Sequence, residues 1–206
     1  MNTENGGKHQ NDAASFTLSR EEVERLFAAA ASTRDDLILR TLYFTAVRRE
    51  ELTEINVEDV DLDRRRVYIR NGKGGKSRMV PLTADLTNRL RKHIGRRRKG
   101  PLFLSNRNAA LSVRSVNHIV ATTGERAGLT NPNPRLQHIN PHLLRHSFVR
   151  HYLSAGGDLR KVSQIIGHAN VAITHAVYGT ASEEEIADEY ETLMGSAGIT
   201  IREVRQ

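Results

Sequence analysis

The 206-residue chain has no cysteine. That excludes disulfide bonds, thiolate metal sites and a cysteine nucleophile, and it fits a reducing, cytoplasmic setting. No uncharged apolar run approaches the roughly 18 residues that a membrane-crossing helix needs, so no membrane partner is expected. The first 15 residues, MNTENGGKHQNDAAS, hold no hydrophobic segment of the signal-peptide kind and read as a flexible tail. Internal repeats and low-complexity linkers are also missing. Among the histidines, His93, His118, His138, His151 and His175 form no metal-ligand spacing backed by carboxylates, and His9 lies in the tail. Neither a metal nor another cofactor is expected.

What the chain does contain is ordinary globular composition, 38% hydrophobic and 27% charged, with a net charge of +7. The charge is unevenly spread. Arg89 to Lys99 holds seven Lys or Arg and no acid, whereas Ser182 to Glu191 holds six acids and no base. A basic body suits a polyanion, because neutralising phosphates releases counterions. A solvated charged surface fits the same numbers, so charge proposes nucleic acid without identifying it.

Hydrophobic spacing and caps predict a mainly α chain with a small antiparallel β-sheet, an α+β class. Ser19 with Glu22 makes a capping box before Val23, Leu26 and Phe27. A second helix is expected from Leu37 to Val47, running on into Arg48-Arg49-Glu50-Glu51. Short strands are expected at Val57 to Val60, Arg66 to Arg70 and Arg78 to Leu82, with a glycine-rich hairpin tip, Asn71 to Ser77, between the last two. Thr83 and Ser112 cap later helices, and Asn140-Pro141 opens another that Gly156-Gly157 stops. Shorter helices are expected at Leu159 to Ile166 and Val171 to Tyr178, and Ser182 with Glu185 caps a last one through Met194.

His142-Leu143-Leu144-Arg145-His146 is the strongest local signal. His142 and Arg145 fall on one helical face and offer a proton-transfer group beside a planar phosphate-binding fork. Alone, such a face is more often a charged surface. Gly75-Lys76-Ser77 has the look of a P-loop end, but Arg70 stands where the required glycine belongs and a strand follows, so nucleotide binding is rejected.

Taken in order, five elements resemble the tyrosine recombinase (phage integrase) family. They are Thr45-Ala46-Val47-Arg48-Arg49-Glu50-Glu51-Leu52, Gly72-Lys73-Gly74, His142-Leu143-Leu144-Arg145-His146, Gly167-His168 and Tyr178-Gly179. The resemblance spans about Phe16 to Leu193. Ala46 stands where the family usually has glycine, and His168 and Tyr178 are ten apart, the less frequent of two spacings.

The resemblance implies site-specific DNA recombination through a 3′-phosphotyrosyl ester on Tyr178, needing neither ATP nor metal. Arg48 and Arg145 would hold the non-bridging oxygens, His142 would accept the tyrosine proton, and His168 would hydrogen-bond the phosphate. Lys73, preferred over Lys76, would protonate the leaving oxygen. Glu51 would orient its neighbours, and His146 would pack or hydrogen-bond behind the site. Lys76, Arg78, Arg96, Arg97, Arg98 and Lys99 are expected DNA contacts, the last four equally readable as a solvated loop. A catalytic domain at 16–195 is expected between tails at 1–15 and 196–206, without an N-terminal core-binding domain. It would be either a short recombinase or a piece of a longer integrase. Expected partners are double-stranded DNA and, on it, copies of the chain as a tetramer, with weak association off DNA. Ala187 to Ile199 would pack on a neighbour or fold back on its own subunit. The setting would be the nucleoid, for integration, excision or inversion of a mobile element. A type IB topoisomerase-like activity and a non-catalytic DNA-binding relative remain the alternatives.

Overall fold

A computed structural model describes residues 16–70 and 77–167. Lys73, Lys76, His168, Tyr178 and the helices expected beyond Gly167 lie outside the described residues.

Among the described residues, seven α-helices and three short strands follow one another: α1 (Arg20–Ala28), α2 (Thr33–Thr45), α3 (Arg49–Glu54), β1 (Val60–Asp61), β2 (Arg66–Ile69), β3 (Arg78–Pro81), α4 (Ala84–Ile94), α5 (Val113–Arg126), α6 (Pro141–Ser154) and α7 (Leu159–Ile166). The caps expected at Ser19, Thr83, Ser112 and Asn140, all among the described residues, are in place. Ser19 accepts from the Glu22 amide while the Glu22 carboxylate accepts from the Ser19 amide, and Thr83, Ser112 and Asn140 each accept from the amide three residues on. Each bond satisfies a donor that a helix start otherwise leaves unpaired.

Two elements depart from expectation. Val57–Asp59 is a 3-10 turn rather than strand, because the Asp59 carboxylate accepts from the Asn56 amide and closes the chain on itself. Pairing begins at Val60, in an antiparallel sheet of order β1-β2-β3 with Val60 opposite Val67 and Val67 opposite Val80. More consequential, α2 ends at Thr45, short of Val47. Ala46 takes a left-handed conformation, φ 49°, which ends α2, and α3 restarts at Arg49 with Arg48 extended between them.

α2 is the central element. Leu37, Ile38, Leu39 and Leu42 are at most 2% exposed, and α1, α4, α5 and α6 all pack against it. A second, smaller cluster joins Ala46 to Val149 of α6 and Val162 and Ile166 of α7. This cluster seats the end of α7 against the α2–α3 junction.

Close packing leaves room for a sharp test. A Cβ on Gly124 of α5 would lie 2.4 Å from Cγ1 of buried Ile139. Gly124→Ala should therefore lower stability by about 1–2 kcal/mol in urea unfolding, overpacking outweighing the gain in helix propensity. A stabilised variant would contradict the packing.

Candidate active site

The α6 start delivers two of the expected residues. Pro141 occupies the first helical position, and Asn140 Oδ1 caps the helix at the Leu143 amide, 3.0 Å. His142 in this first turn is exposed, while Arg145 one turn on is buried. They are electrostatic neighbours, but Arg145 turns inward, which a shared helical face did not reveal. Its two terminal nitrogens donate to backbone carbonyls: Nη1 to Ala46 and Nη2 to Ile166 at 2.6 Å. Arg145 thereby pins α7 to the α2–α3 junction, two residues before Arg48.

Arg48 is held by Glu51. The carboxylate accepts from the Arg48 amide at 2.8 Å and from its Nη1 at 2.9 Å. The left-handed Ala46 makes this possible, since a continuous helix would commit the Arg48 amide to a carbonyl four residues back. Burial pushes the Glu51 carboxyl up, but the hydrogen bonds from Arg78 and the Arg48 amide, with both guanidinium charges, outweigh it and hold it below the usual carboxylate range.

Arg78 departs from the expected DNA contact. It opens β3, and alternation puts it on the same face as fully buried Val80. Its side chain is 10% exposed and spends Nη1 and Nη2 on the two Glu51 oxygens, at 2.9 and 2.8 Å, and Nε on the Ile165 carbonyl at 2.9 Å. That alternation was the available sequence signal. Of the basic run after α4, Arg96, Arg98 and Lys99 are exposed. Arg97 instead closes its own loop, donating to the Pro101 and Leu102 carbonyls at 2.9 and 3.0 Å. Among the described residues, no three His, Asp or Glu side chains gather as a metal would require.

The two histidines are biased toward the neutral form. Desolvation on its protein side, then the charges of Arg49, Arg145 and Arg48, lower His142 against a smaller pull from Glu50. A neutral imidazole there can accept a proton. His146 is half-buried, and burial first, then His142 and Arg145, push it down to about 4 from 6.5. The unfolded chain therefore takes up a proton between pH 6.5 and 4 that the folded chain refuses, and stability must fall as pH drops through that window. Urea unfolding should give a stability about 2 kcal/mol lower near pH 5 than near pH 7. His146→Gln should flatten this difference, and a wild type equally stable at both values would disprove it.

These groups sit in a chain whose relatives are recognisable. A model of the phage integrase family matches residues 17–185. This chain belongs to the phage integrase family. Tyrosine recombinase XerD of Bifidobacterium longum is 38% identical to this chain over 198 residues, covering 85% of this chain and 61% of the relative. For tyrosine recombinase XerA of Thermococcus kodakarensis the identity is 35%, covering 86% and 64%. The crystal structure of a XerA recombinase superposes with a TM-score of 0.73 at 32% identity, over 86% of this chain and 64% of that one. The fold is that of a tyrosine recombinase catalytic domain. The fold also matches XerH bound to its difH substrate before cleavage, with a TM-score of 0.66 at 24% identity, over 86% of this chain and 54% of XerH. The chain spans about three-fifths of the length of the curated relatives it matches.

Proposed function

We propose that this chain cuts and rejoins double-stranded DNA site-specifically, through a covalent ester between Tyr178 and a 3′-phosphate. The observation that carries the reading is the convergence of Arg145 and Arg48 on the α2–α3 junction, with His142, biased toward its neutral form by burial and these charges, beside them. A phosphodiester repels a nucleophile, and two guanidinium groups on its non-bridging oxygens offset that repulsion and stabilise the charge of the transition state. The Tyr178 oxygen attacks phosphorus while His142 takes its proton, so the P–Oη bond forms as the P–O5′ bond breaks. Lys73 protonates the departing 5′-oxygen, and His168 hydrogen-bonds the phosphate. One phosphate ester replaces another, so rejoining is the same exchange in reverse, and it draws on no ATP or metal. Exposed Arg96, Arg98 and Lys99 offer charge to the DNA backbone. Recombination further requires copies of the chain to assemble on DNA, four per exchange. Relatives named tyrosine recombinases, and one solved on its DNA substrate, support the reading.

The test is covalent capture. The protein is incubated with a pool of nicked duplexes carrying a randomised central segment, so that a cleaved strand loses a short fragment and cannot be rejoined. A denaturant-resistant protein–DNA adduct should form, and peptide mapping should place the nucleotide on Tyr178. No adduct, or one on another residue, would overturn the proposal. Binding without an adduct would favour the non-catalytic relative.

A further inference from the structure

We infer that Arg78 is a positioning residue for strand cleavage: it holds Arg48 through Glu51 and clamps the end of α7 that leads to His168. This rests on the cleavage reading above. Arg78 belongs to none of the motif elements that mark the family in this sequence, and its place in the structure is not that of a surface phosphate contact.

Three observations meet at this side chain. Both Glu51 oxygens accept from Arg78, and the same two oxygens accept from Arg48. A carboxylate shared by two guanidinium groups leaves the trio with net positive charge. Without Arg78, Glu51 would cancel Arg48, and a neutralised guanidinium attracts a phosphate less. Second, Arg78 Nε and Arg145 Nη2 take successive carbonyls, Ile165 and Ile166, at the negative end of α7. Third, the Arg78 side chain occupies the space beside Gly167 that a Cβ would need. A Cβ there would stand 2.9 Å from its Nη1 and 3.0 Å from its Cδ and Cζ, and Gly167 has a positive φ of 67°. One side chain thus ties β3, α3 and α7 together. Burying an ion pair is seldom the cheapest route to stability, since apolar packing serves as well. A fork bound at three points instead holds geometry.

The experiment measures the single-turnover rate of adduct formation and the DNA dissociation constant separately, on a duplex recovered from the pool. Arg78→Gln should slow cleavage about 100-fold while affinity changes less than about three-fold. Arg78→Lys should slow it about ten-fold, because one ammonium cannot serve two carboxylate oxygens and a carbonyl. Adding Glu51→Gln to Arg78→Gln should recover about ten-fold, since removing the carboxylate's charge releases Arg48, and a merely structural role would give no such recovery. If Arg78→Gln does not fold, the rate and affinity of Arg78→Lys decide. Three results would overturn the assignment: both single variants cleaving at the wild-type rate, rate and affinity falling by the same factor, or a double variant no faster than Arg78→Gln. A wild type that forms no adduct would defeat the cleavage reading and this inference with it. A cleaving wild type with an indifferent Arg78→Gln would defeat the inference alone.

Discussion

Tyr178→Phe should form no protein–DNA adduct while binding DNA as well as the wild type. The substitution removes one oxygen atom, and that oxygen is the one that must bond to phosphorus. A phenyl ring has no lone pair to offer, so the loss is of chemistry and not of efficiency. Cleavage should fall by at least about four orders of magnitude, to the detection limit of a denaturing gel. Affinity should stay within about three-fold, because the phosphate's affinity comes from guanidinium groups and backbone charge that the change leaves alone. An adduct surviving at a tenth of the wild-type yield or more would reassign the nucleophile.

Nearly as large an effect is expected at Arg145. This side chain is 7% exposed and donates to the carbonyls of Ala46 and Ile166, holding two parts of the chain that are far apart in sequence. Arg145→Lys keeps the charge but replaces a planar fork with a single ammonium. One point charge cannot span both carbonyls and still present a donor to a phosphate. The rate of adduct formation should drop about 1,000-fold, in the range seen when a transition-state donor is lost. Stability should fall as well, by about 1–3 kcal/mol, because a buried carbonyl left unpaired keeps its desolvation cost. Single-turnover cleavage and urea unfolding measure the two effects separately. A lysine variant cleaving within ten-fold of wild type would show that bidentate geometry at this position is not needed.

Much of this molecule could be read from its sequence because the signals are local. Ser19 with Glu22, and Asn140 with Pro141, announce helix starts through bonds within one turn, and the helix expected at Leu159 to Ile166 has those bounds. The order of Arg48, His142, Arg145 and the residues beyond Gly167 is likewise a property of the string, and it pointed to the family that the comparisons show. Val57 to Val60 misled because β-branched residues satisfy a strand pattern, whereas the outcome turned on Asp59 accepting from the Asn56 amide.

Arg78 marks the limit of such reading. In the string it is one more arginine beside a glycine-rich tip, indistinguishable by type from Arg96 or Lys99. Its role depends on Glu51, 27 positions earlier, and on the Ile165 carbonyl, 87 positions later. Ala46 is similar. Its small side chain reads as a modest change from glycine, while its left-handed backbone is what ends α2 and frees the Arg48 amide for Glu51.

The amino-acid sequence alone determined the class of fold, the helix boundaries set by caps, the absence of thiol chemistry and the family. Tertiary structure alone decided which arginines face inward, which carbonyls they hold and how one carboxylate is shared between two of them. The physical reason is range. Caps and periodicity are contacts within a turn, written in neighbouring residues, whereas the charge and hydrogen-bond balance of a buried site is settled among groups that only folding brings within 3 Å of one another.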